Sequence, residues 1–352
     1  MLPNSQAHQA QRAFALTLDW LRQAIARQVA SFTIKRIKTG AAPATVYRVI
    51  LKYAGGDPGA RSLILKAIAP DWPDDPLGAD RERWFYSRVW PELGLRRPRL
   101  YYNDVDPETC YRIIVMEDLA GDYRFPPPTH HWSPEEMRCL LRAYAWLHAR
   151  GQACLPGPDQ RAWLWQMALQ RRTWRAEEIV ELIDGLVRQD IWARLPGVNQ
   201  LVGRTLAEQA TFGGRPATLL HNDVYPPNIA LPHNLNGEAI LLDWEMLGWG
   251  MAELDLAFMF MQPFRSAAYI DRMDALDYYW DQRRALEGSS PASDERWASQ
   301  RHADALWAFS LVPVAHHVAT ERPYRSGSAP GAYWDAMFGV LRERLTQLCE
   351  EV

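Results

Sequence analysis

The sequence is poor in cysteine, lacks a marked excess of charge of either sign and contains no long apolar run. Its four cysteines are scattered without a CxxC pair. This pattern excludes a disulfide framework or a CxxC-type zinc site and indicates reduced thiols in a cytosolic protein. A net charge of −3 excludes the basic surface with which a dedicated nucleic-acid binder replaces counterions, so we expect no nucleic-acid partner.

A membrane-spanning helix needs about 20 consecutive apolar residues, and no segment of the sequence approaches this length. Residues 13–29 mix apolar side chains with Asp19, Arg22 and Arg27, which argues against a secretory signal and favours an amphipathic helix. Apolar residues make up 48% of the chain, enough for a large buried core and too many for disorder. The sequence therefore predicts a cytoplasmic protein, bilobal or of two domains, without a membrane partner.

The first third of the chain alternates strand patterns with turns. The glycine- and proline-rich segment 54–59 predicts a tight turn, so the strands on either side should be antiparallel. A helical pattern covers 79–89, and a second turn covers 104–107. The predicted strands are 32–38, 46–53, 62–68, 99–102 and 111–116. Together they predict a small α+β unit of five strands and one helix.

From Trp132 onward the pattern becomes mostly helical. Ser133, Pro134 and Glu136 form an N-terminal capping signature, and Gly151 stands where a C-terminal cap is expected. Further helical patterns cover much of 160–210 and 265–350. Between them lie two short apolar runs, 218–220 and 239–242, joined by a loop rich in Asn and Pro.

That loop carries the pattern that points to chemistry. His221, Asp223 and Asn228 fit H-x-D-x-x-x-x-N, and Asp243 follows the second apolar run. Phosphoryl transfer needs a carboxylate that accepts the proton of the attacking hydroxyl, and oxygen ligands that hold Mg²⁺ on the nucleotide phosphates. Asp223 suits the first task, whereas Asn228 and Asp243 suit the second. Two prolines stiffen the loop and lower the ordering needed when metal binds.

With these motifs the sequence resembles the aminoglycoside phosphotransferase and choline kinase family, small-molecule relatives of protein kinases. The family patterns H-G-D-x-x-x-x-N, I-D-[WF]-E and D-x-A are matched in order by the loop above, by Asp243-Trp244-Glu245 and by Asp255-Leu256-Ala257. The resemblance implies a bilobal protein-kinase-like α+β fold with a five-stranded antiparallel N-terminal lobe and a mostly helical C-terminal lobe. It also implies ATP and Mg²⁺ as cofactors.

The resemblance implies a nucleotide-binding set in the first lobe. Lys66 matches the lysine that holds the phosphates, and Glu82 matches the helix glutamate that pairs with it. Met116, Glu117 and Leu119 belong to a hinge that would hold adenine through backbone groups. Backbone N–H groups from Gly40 to Thr45 would cover the phosphates, with the Thr45 hydroxyl as a further contact; this loop has only Gly40, not G-x-G-x-x-G.

In the second lobe we expect His221 and Asp255 to support the catalytic loop through backbone hydrogen bonds. The alternatives are a catalytic role for His221 and a substrate contact for Asp255. Asn222 replaces the glycine that the family commonly has between His and Asp. The implied domains are an N-terminal helix at 1–30, a nucleotide-binding lobe at 31–116, a hinge at 117–120 and a helical lobe with the acceptor site at 121–352.

The acceptor is less well indicated. Glu245 fits either a substrate contact or a residue that supports the metal ligands, and Trp249 is a candidate acceptor contact as one of several aromatic residues that could form a cage for a quaternary ammonium. Four carboxylates repeat at intervals of three, three and four residues, on one side of a helix: Asp271, Asp274, Asp277 and Asp281. They fit either a polycation site or a solvated face. The sixteen tryptophans fit either a cation–π cage or ordinary core.

The sequence thus predicts an ATP-dependent kinase that acts on a hydroxyl of an aminoglycoside-, amino alcohol- or sugar-like small molecule. Two alternatives are a nucleotide-binding pseudokinase without turnover and a metal-dependent phosphoester hydrolase. A protein kinase fits poorly because no D-F-G is followed by an activation segment ending in A-P-E.

Overall fold

The computed structural model of the protein describes residues 16–37, 44–56, 59, 61–69, 78–107, 109–154, 164, 176–188, 192–209, 217–261, 272–288, 291–321 and 329–350. They divide into two compact units. The first unit holds the described residues up to Arg83 together with Pro98–Gly121. The second holds Trp84–Arg97 and the described residues from Asp122 onward.

The first unit is built on one five-stranded sheet in the order β1-β2-β3-β5-β4. Every neighbouring pair is antiparallel, which confirms the predicted antiparallel sheet. The strands are β1 (Val29–Ile37), β2 (Thr45–Tyr53), β3 (Ser62–Ile68), β4 (Leu100–Val105) and β5 (Arg112–Glu117).

Several boundaries differ from the sequence pattern. The N-terminal helix α1 covers only Leu18–Ile25, because Ala26 adopts a left-handed conformation (φ 51°) that ends the helix and leads into β1 at Val29. Strand β4 extends through Asp104 and Val105, which had been predicted as turn. These two residues pair with Ile113 and Arg112, and this cross-strand pairing outweighs their turn preference.

The two faces of the sheet have different neighbours. Leu21 and Ile25 of α1 pack against buried side chains of one face, among them Val49, Leu63 and Leu65. Because side chains alternate along a strand, Lys66 lies on the opposite face.

The helix that follows β3 changes its winding partway along. It begins as α2 (Gly78–Trp84), continues as a π-helical segment (Phe85–Val89) and ends as α3 (Trp90–Leu93). In the π-helical segment the Trp90 N–H bonds the carbonyl of Phe85, five residues earlier. The sequence pattern predicted a helix that ends at Val89, whereas the helical residues continue through Pro91 to Leu93. The proline is tolerated because it opens a new turn, where no N–H donor is needed.

The second unit is mostly helical, as predicted. Its helices are α4 (Pro134–Gly151), α5 (Ala176–Arg188), α6 (Val198–Gln209), α7 (Glu253–Phe260), α8 (Arg272–Glu287), α9 (Ser293–Glu321) and α10 (Ala329–Glu350). In the described part of the chain, no helix is both long and apolar enough to cross a membrane.

Five short strands accompany these helices. They are β6 (Tyr123–Arg124), β7 (Thr218–Leu220), β8 (Ile229–Pro232), β9 (Ile240–Leu241) and β10 (Gly248–Gly250). β7 pairs with β10, and β8 lies between β6 and β9. The sequence pattern pointed to the sites of β7 and β9 but not to β6, β8 or β10.

Helix α4 begins with the predicted capping box. The Ser133 hydroxyl accepts from the Glu136 N–H, and the Glu136 carboxylate accepts from the Ser133 N–H. At its other end, Gly151 is the last helical residue and does not form a left-handed cap. The missing side chain of Gly151 lets α4 pack closely against β7. A Cβ at this position would lie 2.6 Å from Thr218 Oγ1 and 3.1 Å from the Leu219 nitrogen.

We therefore expect Gly151→Ala to destabilise the protein by about 1–3 kcal/mol, the usual range for overpacking a tight contact. Thr218 cannot easily move away, because its hydroxyl donates to the His148 carbonyl at 2.7 Å. The matched control is Gly203→Ala in α6, where an added Cβ meets no atom within 4 Å. That change should stabilise by up to about 1 kcal/mol. Urea unfolding of both variants measures the effect, and equal shifts would contradict the packing role of Gly151.

Candidate active site

The loop after β7 brings two of the predicted residues into direct contact. Asn228 Nδ2 donates to Asp223 Oδ2 at 2.6 Å. Asn228 ends a 3-10 turn that begins at Pro226, and its backbone N–H donates to the Tyr225 carbonyl at 2.9 Å. Asp223 and Asn228 are half-buried, so both side chains are partly accessible while their backbone is fixed.

Strand pairing places Asp243 at the same end of the sheet. Ile229 of β8 lies opposite Leu241 of β9, and the Leu242 N–H donates to the Asn228 carbonyl at 2.8 Å. Asp243 is the next residue and is half-buried, with φ 66°. The predicted set of Asp223, Asn228 and Asp243 therefore gathers at one end of the β8–β9 ladder.

Asn222, which stands in place of the family glycine, adopts the left-handed conformation with φ 60°. Asparagine tolerates this conformation better than most residues other than glycine. Its Nδ2 atom also donates to the Met246 carbonyl at 3.1 Å. The loop thus keeps its turn without a glycine.

Asp255, near the start of α7, is fully buried and holds the backbone of the loop after β7. Its Oδ2 accepts from the His221 N–H at 2.8 Å, and its Oδ1 accepts from the Asn222 N–H at 2.7 Å. His148 of α4 contacts the same carboxylate, with Nε2 3.1 Å from Oδ2. These are the backbone hydrogen bonds expected of Asp255.

His221 supports the loop from its other side. The Asp223 N–H donates to His221 Nδ1 at 3.2 Å, so Nε2 carries the proton and donates to the Leu242 carbonyl at 2.9 Å. Burial lowers the pKa of His221, and a proton on Nδ1 would break the first bond. The neutral ring thus ties the Asp223 backbone to Leu242, the residue between β9 and Asp243.

A buried aromatic stack fixes the residue after Asp243. The ring of Trp244 stacks on Phe85 with centroids 3.6 Å apart and meets the ring of His221 edge-on at 4.5 Å. Its Nε1 donates to the Leu241 carbonyl at 3.0 Å. Because Trp244 is fully buried, the backbone at Asp243 has little freedom to shift.

In the first unit, Lys66 of β3 and Glu82 of α2 form a buried ion pair, with Nζ 2.8 Å from Oε2. Lys66 is 6% exposed and Glu82 is 1% exposed. The paired contact implied by the resemblance is therefore present, whereas its role in holding phosphate stays a prediction.

Of the predicted hinge residues, Met116 and Glu117 are the last two residues of β5, and Leu119 lies just beyond this strand. Met116 lies opposite Ile64 and, through strand alternation, shares the face of Lys66. Glu117 Oε2 accepts from the Arg99 N–H at 2.9 Å, and Leu119 is buried.

Asp118 within this segment was not predicted as a site residue. It contacts Arg48 Nε at 2.7 Å and accepts from the Ser62 hydroxyl at 2.7 Å. The carboxylate thereby ties the segment to β2 and β3.

Of the phosphate-covering loop, Thr45 is described and Gly40 lies outside the described residues. Thr45 pairs with Ala67, whose side chain packs in the cluster beneath α1. Alternation therefore turns the Thr45 side chain away from the face of Lys66. This geometry favours the predicted backbone contact over the hydroxyl contact.

The candidate acceptor residues lie just beyond Asp243. Glu245 is in a 3-10 turn, Trp249 is in β10, and both are half-buried. Of the four repeating carboxylates, Asp274, Asp277 and Asp281 are exposed on α8, and Asp271 lies outside the described residues. Asp281 pairs with Arg284 at 2.7 Å, as on a solvated face.

The oxygen atoms near Asp223 fit Mg²⁺, which favours carboxylate and amide oxygens and keeps several ligand positions for water and phosphate. Because Asn228 donates through Nδ2, its Oδ1 is the atom left to ligate a cation. Asp243 supplies the negative charge. Among the described residues, no three or more His, Cys, Asp or Glu side chains form a group that could hold a metal ion.

Sequence reasoning missed His148. Its partner Asp255 is 107 residues away, and a histidine on the apolar face of a helix gives no local signal of such a contact.

Comparison with protein families identifies one match. The model of a family described as the phosphotransferase enzyme family, APH, matches residues 33–286. This range covers more than two thirds of the chain and includes every predicted site residue. No curated protein matches the sequence.

Solved structures show the same fold at low sequence identity. A protein from Ralstonia eutropha assigned as an aminoglycoside phosphotransferase is 15% identical with a TM-score of 0.62, and the match covers 95% of this chain and 97% of that one. A spectinomycin phosphotransferase solved with ADP and spectinomycin is 12% identical with a TM-score of 0.56, over 93% and 97% of the chains.

A variant of aminoglycoside 2′-phosphotransferase-IIIa in its GDP complex is 13% identical with a TM-score of 0.51, over 90% and 93%. Together these matches confirm the predicted fold class.

Protonation of His148 should limit stability in acid. Burial lowers the pKa of His148 more than Asp255 and Glu253 raise it, and Arg283 lowers it further. A histidine in the unfolded chain titrates near 6.5, so below this pH the unfolded state binds a proton that the folded state does not. We expect stability to fall as the pH drops below about 6.5, by up to about 1.4 kcal/mol per pH unit from this group.

His148→Gln keeps one donor and one acceptor but does not titrate, so it should flatten this slope. Urea unfolding of both proteins between pH 5 and 8 measures the difference. An unchanged slope in the variant would contradict the assignment.

Proposed function

We propose that the protein transfers the γ-phosphoryl group of ATP to a hydroxyl of an aminoglycoside-, amino alcohol- or sugar-like acceptor. The chain belongs to the phosphotransferase enzyme family and is a small-molecule kinase. The observation that carries the proposal is the contact of Asp223 with Asn228 at 2.6 Å, next to Asp243. A base and two oxygen ligands at one strand end are what phosphoryl transfer needs.

In the proposed reaction, Asp223 accepts the proton of the acceptor hydroxyl. The hydroxyl oxygen then forms a bond to the γ-phosphorus, the bond from that phosphorus to the bridging β–γ oxygen breaks, and ADP leaves. The Asn228 amide holds Asp223 in one orientation, and the Asp255 and His221 contacts hold the backbone. Such positioning lets a weak base act at the moment of transfer.

Lys66 would hold the nucleotide phosphates, with Glu82 fixing the direction of its side chain. The described face of the sheet supports this assignment, because Ile64 and Met116 lie beside Lys66 and offer an apolar surface for a base. Backbone groups at Glu117 and Leu119 would bind adenine, and those from Gly40 to Thr45 would bind phosphate. This division makes 31–116 the nucleotide-binding part, 117–120 the hinge and 121–352 the acceptor part.

Asn228 Oδ1 and the Asp243 carboxylate would hold Mg²⁺. When bound, the ion would neutralise charge on the transferred phosphoryl group. The spectinomycin phosphotransferase of the same fold contains ADP, and the 2′-phosphotransferase contains GDP. These relatives support a purine nucleotide as phosphoryl donor, and we propose ATP.

The acceptor would lie near Glu245 and Trp249. A half-buried carboxylate and an indole ring together suit a polar molecule with a cationic amine and an apolar face. Spectinomycin, the ligand of the relative solved with ADP, supports an acceptor of this kind. A coupled ADP-release screen over aminoglycosides, amino alcohols, sugars and nucleosides would identify it.

Asp223→Asn should lower kcat by about 10²- to 10⁴-fold, the usual contribution of a general base. The amide keeps an oxygen that accepts from Asn228, so the loop should stay in place. Nucleotide affinity, measured by calorimetry, should change by less than about threefold. Unchanged turnover would refute the role of Asp223.

The same assays separate the alternatives. Nucleotide binding without turnover on any acceptor would indicate a pseudokinase. Metal-dependent phosphoester cleavage that needs no nucleotide would indicate a hydrolase.

Asp243→Asn should weaken divalent-metal binding in the presence of a non-hydrolysable ATP analogue by at least about tenfold, since it removes the only formal charge among the proposed protein ligands. Mn²⁺ electron paramagnetic resonance measures this without turnover. Asp184→Asn, at an exposed carboxylate of α5, is the matched control. Equal Mn²⁺ affinity in both variants would remove Asp243 from the metal site.

A further inference from the structure

A line of buried hydrogen bonds continues from Asp255 into helix α8. His148 Nδ1 lies 2.8 Å from the Tyr279 hydroxyl, and the Tyr279 oxygen accepts from Arg283 Nη1 at 3.3 Å. Tyr279, His148 and Asp255 are each 0% exposed, and Arg283 is 5% exposed. Four side chains from three helices thus form one connected path that ends at the carboxylate beneath the catalytic loop.

Every hydrogen bond along this path donates in the same direction, from Arg283 toward Asp255. Asp255 accepts a backbone N–H on each oxygen, so His148 must donate from Nε2 and carry a lone pair on Nδ1. The Tyr279 hydroxyl is then the donor to Nδ1. Arg283 can only donate, so its guanidinium fills a lone pair of the Tyr279 oxygen.

Arg283 is itself held in place. Its Nε donates to Glu287 Oε1 at 2.9 Å, one turn further along α8. The path therefore starts at the Arg283 guanidinium on α8 and ends at the Asp255 carboxylate on α7, and both charged groups are held in place. Each neutral group between them has a single consistent proton position.

We propose that Tyr279 is a positioning residue whose hydroxyl holds the His148 ring in the orientation that donates to Asp255, and thereby holds the Asp255 carboxylate against the catalytic loop. Without the hydroxyl, the buried Nδ1 atom of His148 loses its donor. The ring is then held through Nε2 alone and can turn, so the contact with Asp255 weakens and the carboxylate moves relative to the N–H groups of His221 and Asn222.

The effect reaches Asp223 because Asn222 immediately precedes it and holds the left-handed turn. If Asp255 moves, the backbone N–H of Asn222 loses its buried acceptor, and the turn at Asn222 becomes less rigid. The catalytic consequence rests on the proposed function, whereas the effect on the loop does not.

Tyr279→Phe tests this with the removal of one oxygen atom. The matched control is Tyr278→Phe on the same helix. Its hydroxyl is half-buried and 3.3 Å from Arg142 Nη1, outside the path. Hydrogen–deuterium exchange of the peptide that contains His221 and Asn222 should become about tenfold faster in Tyr279→Phe and stay unchanged in Tyr278→Phe.

Two further measurements distinguish positioning from a general loss of stability. The ¹⁵N spectrum of labelled histidine, with the His148 signals assigned from their absence in His148→Gln, should show a hydrogen-bonded Nδ1 in the wild type and a shifted Nδ1 signal in Tyr279→Phe. At temperatures where both proteins are fully folded, kcat should fall about 10- to 100-fold while KM for nucleotide stays within about twofold.

Substitution of His148 provides a rescue test. Gln offers one donor and one acceptor at similar positions, so His148→Gln should keep slow exchange at the loop, whereas His148→Leu should not. If His148→Leu does not fold, the Tyr279→Phe comparison still decides.

Wild-type exchange and a wild-type imidazole spectrum in Tyr279→Phe would overturn the inference whatever the activity. If the wild type transfers phosphate to no acceptor, the proposed function fails, and the exchange contrast still decides the role of Tyr279.

Discussion

The buried carboxylate of Asp255 is the point on which the catalytic loop depends. It is fully enclosed and accepts the backbone N–H groups of His221 and Asn222. A buried charge is tolerable only when such donors surround it. The loop and the carboxylate therefore stabilise each other. The loop supplies the hydrogen-bond donors that the buried carboxylate needs, and the carboxylate holds the loop backbone in place.

The remaining site geometry follows from this anchor. His221 is held by its backbone, so its ring can join Asp223 to the Leu242 carbonyl, and Asn228 meets Asp223 from the far side of the same loop. Trp244, stacked on Phe85, limits movement at Asp243. The reactive side chains are thus half-buried, while the backbone that carries them is held by bonds in the interior. Rigid support beneath accessible groups is the arrangement that catalysis by positioning requires.

Local patterns in the sequence predicted the parts of the fold that depend on neighbouring residues. Alternation and turn chemistry predicted the five strands, and the short spacing of Asp223 and Asn228 indicated that one loop carries both side chains. Partners distant along the chain were not predictable, such as His148 with Asp255 or Arg48 with Asp118, 107 and 70 residues apart. Strands as short as β6, β8 and β10 contain too few residues for a period to be recognised.

The π-helical segment at Phe85–Val89 holds one residue more than regular winding would allow over the same rise. A deletion there would restore ordinary helical hydrogen bonds and remove a local irregularity. It would also rotate Trp90 by about 100° about the axis, away from the rings of Tyr86 and Trp244 that it now touches. The number of residues in this stretch therefore determines which rings Trp90 contacts.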